Sequence, residues 1–176
     1  MREITHLVVH GTMTNPKDPF QLDALAAEHY KRGVRSPYAD SRTAYHWIIL
    51  RNGDLVIGRE THEPARLSGP LNDVALAVLL VGGLDDEGEP APNYSAEQWH
   101  TLYLLCSLIA EDWPDLEVIG HRDVYNKPKG RDCPGFDAAT YVSVSNAFGA
   151  EVKNEKEKPN FEYCPPPSPS RKDHTH

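Results

Sequence analysis

The sequence has few cysteines and no long hydrophobic run. Three cysteines among 176 residues are too few for a disulfide framework, and they lie in three different local contexts. The longest apolar run, from Val74 to Val81, is far shorter than the roughly 20 residues that a membrane-spanning helix needs. We therefore expect neither a disulfide-stapled mini-protein nor insertion into a membrane.

Positive charge is also scarce. The chain has 18 Lys and Arg against 26 Asp and Glu, which gives a formal net charge of -8. General nucleic-acid binding depends on lysine and arginine to displace counterions from phosphates, so this balance argues against a nucleic-acid partner. The first residues run straight into an alternating strand pattern without a signal-peptide core, and we expect no export by the usual secretory route.

The length favours one well-packed domain. From residue 151 onward the composition shifts to proline and alternating charge, with few side chains to bury. We predict one folded domain at residues 1–150 and a tail at residues 151–176 that is flexible or loosely docked. No feature indicates a second subunit, and we expect a monomer.

Hydrophobic periodicity predicts strands and helices in alternation. In chain order they are a strand at 4–10, a helix at 19–32, two hairpin strands at 44–50 and 55–58, a strand at 74–82, a helix beginning after Ser95, a strand at 116–119 and a helix near 137–148. This order favours an α/β fold: a single domain with a central mixed β-sheet flanked by helices.

Two short signals refine this prediction. Asn52-Gly53 is typical of a hairpin with a type I′ turn, which needs positive φ at both central residues. Ser95 and Gln98 have the spacing of a capping box, and Asp137 is a plausible N-cap for the last helix.

Two histidines and one cysteine are candidate metal ligands. His10 and His121 each stand at the carboxyl end of a predicted strand, where sites collect in sheets covered by helices. Cys133 lies in a Pro-Gly loop that can fold back towards them, and two imidazoles with a thiolate suit a catalytic zinc. However, strand-end histidines are often structural, and the standard close-spaced zinc motifs are absent. Spacing alone leaves both interpretations open.

Longer segments carry a resemblance. HLVVHGT, AYHWIILRNGDLVIG, LVGGLDDEGEPAPNYS, GHRD and CPGFD resemble, in order, the successive motifs of the type-2 N-acetylmuramoyl-L-alanine amidases. The similarity is greatest to the bacteriophage lysozyme-amidase type, and the peptidoglycan-recognition proteins are more distant relatives. It extends from about Ile4 to Val142, which covers most of the chain.

The resemblance implies a function and a site. It implies one Zn2+ per chain, held by His10, His121 and Cys133, and hydrolysis of the amide between N-acetylmuramic acid and L-alanine in peptidoglycan. Tyr45 matches the catalytic tyrosine of the family, whose phenol would orient water or donate to the developing oxyanion. Outside this alignment, a lone strand tyrosine is more often a cross-strand packing residue.

The sequence departs from the family where a catalytic lysine is expected, because Arg131 stands there. Arginine can stabilise an oxyanion by hydrogen bonding, but its pKa is too high for acid–base catalysis. Lys127 or Lys129 could reach the site instead, and a solvated basic loop is the third interpretation.

Two substrate-binding candidates follow from the same comparison. Arg66 could bind a muropeptide carboxylate, although a surface arginine is the commoner explanation. Asn72 falls where the family has a groove-lining polar residue. Leu67 stands where relatives commonly have a histidine beside the site.

Three other residues have plainer interpretations. We read His46 as a structural strand residue and Cys106 as inert core. Asp123 either orients His121 as an acceptor or caps the loop.

Two further functions stay open: a peptidoglycan-binding module without turnover, and a cysteine hydrolase that uses Cys133 as nucleophile. The expected partner is peptidoglycan or a smaller muropeptide. Without a signal peptide, we expect action on the cell wall after holin-type release or delivery by a secretion machine, or else cytosolic recycling.

Overall fold

The computed structural model describes residues 2–34, 43–67, 69, 71–124 and 132–143. The strands are β1 (His6–Gly11), β2 (Trp47–Ile49), β3 (Leu55–Ile57), β4 (Ala75–Leu80) and β5 (Glu117–Gly120). The helices are α1 (Leu22–Lys31) and α2 (Ala96–Asp112), with a 3-10 turn at His121–Asp123 and a helical segment at 138–143.

The five strands form one mixed sheet in the order β3-β2-β4-β1-β5. β1 is parallel to both of its neighbours, β4 and β5, and β2 is parallel to β4. β3 is antiparallel to β2, as a hairpin requires. The predicted α/β fold with a central mixed sheet is therefore confirmed.

Helices cover both faces of this sheet, which explains why β4 is a continuous apolar run with every residue buried. Side chains alternate across a strand, so Val78 and Leu80 face the core under α2. Leu79 and Val81 face the opposite side of the sheet, where they form a second hydrophobic core. The side chains of Leu22 and Leu25 from α1 pack against this core.

The start of α2 has the predicted capping box. The Ser95 hydroxyl accepts the Gln98 N–H at 3.1 Å, and the Gln98 side-chain oxygen accepts the Ser95 N–H at 3.1 Å. Tyr94 and Trp99, on either side of this box, pack edge to face with ring centroids 5.4 Å apart. This is the hydrophobic staple that fixes how the chain enters a helix.

The hairpin is present, but the prediction of a type I′ turn is wrong. Gly53 has φ +85°, but Asn52 does not have positive φ, because Met13 is the only non-glycine residue with positive φ in the described part of the chain. The Gly53 N–H bonds to Leu50 O and the Leu50 N–H bonds to Asp54 O, both at 2.9 Å. The connection is thus a turn followed by a left-handed glycine, the geometry of a three-residue hairpin loop.

At the carboxyl end, the Asp137 side chain accepts the Thr140 N–H at 2.8 Å, so the predicted N-cap is confirmed. The remainder of the predicted last helix and the tail at residues 151–176 lie outside the described residues. Among the described helices, none is long and apolar enough to cross a membrane.

Candidate active site

The two histidines meet at one edge of the sheet. β1 and β5 are parallel neighbours with Val9 opposite Gly120, so the next residues along each strand, His10 and His121, lie side by side. Their ring centroids are 4.3 Å apart. The parallel pairing explains this contact, because parallel strands end at the same edge.

Cys133 joins them from a loop. Its sulfur accepts the Gly11 N–H at 3.2 Å, and its carbonyl accepts the Arg122 N–H at 2.9 Å. The ligand atoms of His10, His121 and Cys133 all lie within 4.8 Å of one another. Bonds from the backbone N–H groups of Gly11 and Arg122, each the residue after a histidine, therefore fix the cysteine between the two histidines.

The donor set fits a metal ion. His10 is 4% exposed, yet its Nε2 has no hydrogen-bond partner among the described residues. A buried polar atom without a partner is costly, and a metal ion would remove that cost. Burial, with the neighbouring His121, holds the pKa of His10 well below its ordinary value, so the imidazole is neutral as a ligand must be. Two imidazoles and one thiolate are ligands that zinc takes in catalytic sites.

Tyr45 lies beside this site. Its ring centroid is 5.1 Å from that of His10. Burial, followed by the neighbouring Cys133, raises the pKa of the Tyr45 phenol to about 12. The phenol is therefore protonated at neutral pH and available as a hydrogen-bond donor.

His29 is a site residue whose role the sequence analysis missed. It lies on α1 and is 4% exposed. Its Nδ1 accepts the N–H of Ala44, immediately before Tyr45, at 3.1 Å, and its ring is 5.6 Å from the Tyr45 ring. The signal was available: His29 is the one polar residue among apolar residues at helical spacing.

These residues line a cleft of about 910 Å³. Five charged side chains also line it: Asp18, Glu28, Arg32, Arg66 and Arg122. Three of these five are arginines, although the chain as a whole is acidic. Two of the arginines are paired with carboxylates of the chain, Arg32 with Glu28 and Arg122 with Asp123 and Asp137.

The two substrate-binding candidates differ in position. Arg66 is exposed and lines the cleft. Asn72 is not among the residues that line it. The Asn72 side-chain oxygen instead accepts the N–H of Leu67, the cleft residue next to Arg66, at 2.8 Å. Asn72 thus holds the segment that carries Arg66.

The predicted catalytic Arg131 lies outside the described residues, as do Lys127 and Lys129. The described part of this loop resumes at Asp132, directly before Cys133.

Three residues with plainer interpretations are also placed. His46 is fully buried, accepts the Ala77 N–H through Nδ1 and contacts Glu63 O through Nε2, both at 3.0 Å. The Asp123 carboxylate accepts the Gly120 N–H at 2.9 Å, which is the capping alternative. Burial raises the pKa of the Cys106 thiol to about 12, as for an inert core cysteine.

Comparison with known proteins agrees with this geometry. A family model described as "N-acetylmuramoyl-L-alanine amidase" matches residues 1–136. An endolysin of Enterobacteria phage K11 is 32% identical over 143 residues, which cover 81% of this chain and 88% of the relative. An endolysin of Escherichia phage T7 is 28% identical over 137 residues, covering 77% and 84%.

Solved structures show the same fold at lower identity. The N-acetylmuramoyl-L-alanine amidase LysC from Clostridium intestinale has a TM-score of 0.59 at 19% identity, with 88% of each chain covered. The bumblebee PGRP-SA has a TM-score of 0.56 at 16% identity, with 80% of each chain covered.

Proposed function

Because the chain belongs to the N-acetylmuramoyl-L-alanine amidase family, we propose that it is a zinc-dependent peptidoglycan hydrolase acting on the bacterial cell wall. It cleaves the amide between N-acetylmuramic acid and the L-alanine of the stem peptide. One observation carries the zinc requirement: His10, His121 and Cys133 converge at one sheet edge, with a buried His10 nitrogen that has no partner in the described chain.

Each ligand has a defined support. The strand pairing of β1 with β5 positions His10 and His121, and the Gly11 N–H stabilises negative charge on the Cys133 sulfur. When bound there, zinc would lower the pKa of water and polarise the scissile carbonyl. These contacts within the chain position the ligands, which is the preorganisation that catalysis needs.

Tyr45 supplies a proton donor in this proposal. Its phenol is protonated at neutral pH and lies on the His10 side of the cleft. It donates a hydrogen bond to the substrate oxygen as negative charge develops, or orients the attacking water. His29 keeps it in place through the Ala44 backbone and the ring contact.

Three more residues complete the proposed site. Arg131 stabilises the oxyanion by hydrogen bonding, two residues before the cysteine ligand. Arg66 binds a carboxylate of the stem peptide from its exposed position in the cleft. Asn72 serves substrate binding through Leu67, by holding the Arg66 segment.

A digest of purified sacculi tests the proposal. The wild type is expected to carry one zinc per chain and to release peptides that begin with L-alanine, seen by mass spectrometry. Cys133→Ser should lose both the zinc and the products, since it removes the thiolate ligand. The matched control is Cys106→Ala, which removes the buried cysteine of the core and should keep both properties.

Two outcomes would replace the proposal. Activity that survives exhaustive chelation and disappears on thiol alkylation would make Cys133 a nucleophile. Intact muramyl-alanine bonds after long incubation with zinc-loaded protein would leave a peptidoglycan-binding module.

A further inference from the structure

Tyr94 is not one of the candidate metal ligands, but it contacts the loop that carries Cys133. It is 7% exposed, and its hydroxyl donates to the carbonyl of Pro134, the residue after Cys133, at 2.6 Å. Pro134 has no N–H, so its carbonyl is the only backbone group at that position that can anchor the loop. The bond joins residues 40 positions apart.

The ring of Tyr94 is held independently of the loop's backbone. It packs edge to face against Trp99 of α2 at 5.4 Å and against Phe136 at 5.8 Å. Because Tyr94 immediately precedes the capped start of α2, its backbone is fixed as well. The position of the Tyr94 hydroxyl relative to the sheet is therefore fixed by these contacts.

Glycines make room for this hydroxyl. A Cβ added at Gly11 would collide with the Tyr94 oxygen, and one added at Gly83 would lie 2.8 Å from it. Gly11 is also the residue whose N–H bonds to the Cys133 sulfur. The phenol thus fills the space between the strand that carries His10 and the loop that carries Cys133.

We infer that Tyr94 is a positioning residue for the metal centre: its hydroxyl clamps the 133–134 segment and so sets the place of the Cys133 ligand. The inference rests on the zinc site of the proposed function. Groups that hold metal ligands in place commonly contribute about 10- to 100-fold to metal affinity. No group other than the Tyr94 hydroxyl donates to Pro134 O in the described part of the chain.

Tyr94→Phe tests it, with Tyr141→Phe as the matched control. Tyr141 is 5% exposed, contacts the same Trp99 and Phe136 rings, and donates its hydroxyl to a backbone carbonyl, Trp99 O, at 2.9 Å. The two variants therefore delete the same buried group from the same core. Only one of them acts on the cysteine loop.

The measurement is zinc affinity by competition with a chromophoric chelator, alongside the melting temperature of the zinc-free protein. We expect both variants to lose some thermal stability. Tyr94→Phe alone should bind zinc about 10- to 100-fold more weakly, mainly through faster release. Equal zinc affinity in the two variants would overturn the inference, whereas a wild type that binds no zinc would overturn the proposed function instead.

A second variant covers the case in which Tyr94→Phe folds poorly. Gly11→Ala should weaken zinc binding by displacing the hydroxyl, without any change at Tyr94. In the Tyr94→Phe background the collision with the Tyr94 oxygen is absent, and the nearest remaining atoms are Gly82 O at 3.3 Å and the Met13 sulfur at 3.4 Å. The two effects on affinity should therefore be less than additive. Full additivity would contradict a role for the hydroxyl.

Discussion

At the residue scale, burial decides which side chains take part in chemistry. Burial raises the pKa of the Tyr45 phenol and of the Cys106 thiol to about 12, so both stay protonated. Their neighbours then separate them. Tyr45 is beside His10 and the cleft, whereas Cys106 lies on α2 and packs into the core. The same physical shift gives a proton donor in one place and an inert side chain in the other.

The first prediction concerns Tyr45→Phe. It removes the phenol hydroxyl and leaves the ligand set intact, so zinc content should remain one per chain. Turnover should fall by about 100-fold or more, the usual contribution of a positioned proton donor. Turnover on soluble muropeptide and metal analysis measure the two effects separately.

Tyr103→Phe is the control, because Tyr103 is a half-buried tyrosine of α2 that does not line the cleft. It should keep its turnover. A fully active Tyr45→Phe enzyme would remove Tyr45 from the proposed mechanism.

At the element scale, the start of α2 bonds to two strands of the sheet and to the hairpin connection. Its capping box holds the first turn, and the buried Gln98 side chain donates to Ile49 O at 3.1 Å and to Val81 O at 3.0 Å. The Ser95 hydroxyl also donates to Arg51 O in the hairpin at 2.7 Å. One helix start thus binds two parallel strands and the connection between β2 and β3.

Ser95→Ala should therefore lower the free energy of unfolding by about 1 to 2 kcal/mol, since it removes an N-cap and a hydrogen bond to the hairpin. Urea denaturation measures this as a lower midpoint with an unchanged slope. The control is Ser107→Ala, because the Ser107 hydroxyl bonds back to Tyr103 O within the helix. That change should be close to neutral, and an equal loss in both variants would refute the capping role.

At the scale of the whole molecule, buried polar groups connect the central sheet to the segment around Glu63. His46 connects β4 to the segment around Glu63, and a buried ion pair joins Arg59 to Glu63 at 3.2 Å. Burial lowers the pKa of His46 to about 4. The hydrogen bond to Glu63 O raises this pKa, and the charges of Arg2, Arg59 and Glu63 have smaller effects. His46 is therefore neutral in the folded protein over the range where an unfolded chain would protonate it.

This predicts a pH dependence of stability. Below about pH 6.5 His46 becomes protonated in the unfolded state, but in the folded state it stays neutral until about pH 4. The free energy of unfolding therefore falls as the pH falls from about 6.5 to 4. The gap between a pKa of 6.5 and one of about 4 corresponds to roughly 3 kcal/mol in the free energy of unfolding. Urea denaturation between pH 4 and 7 should show a shallower profile for His46→Gln, whose amide has an acceptor and a donor but does not titrate. Wild type and variant share every other group, and parallel profiles would contradict the prediction.

The sequence determined the local elements and the ligand candidates. Periods of two and about 3.6 residues identify strands and helices because burial repeats with the geometry of each element. The capping box at Ser95 and the cap at Asp137 were readable because both depend on residues three positions apart. Both histidines were correctly placed at strand ends, and the resemblance joined them to Cys133.

Only the tertiary structure decided how these elements meet. Strand order brings Gly11 and Cys133, 122 positions apart, within a hydrogen bond. The dipeptide at Asn52 supplies the left-handed glycine, but the turn type depends on the loop length and on the contact with α2, whose Thr101 donates to Gly53 O. The roles of His29 and Tyr94 depend on contacts with Ala44 and Pro134. Such contacts are set by sheet register and helix packing, which no short stretch of sequence encodes.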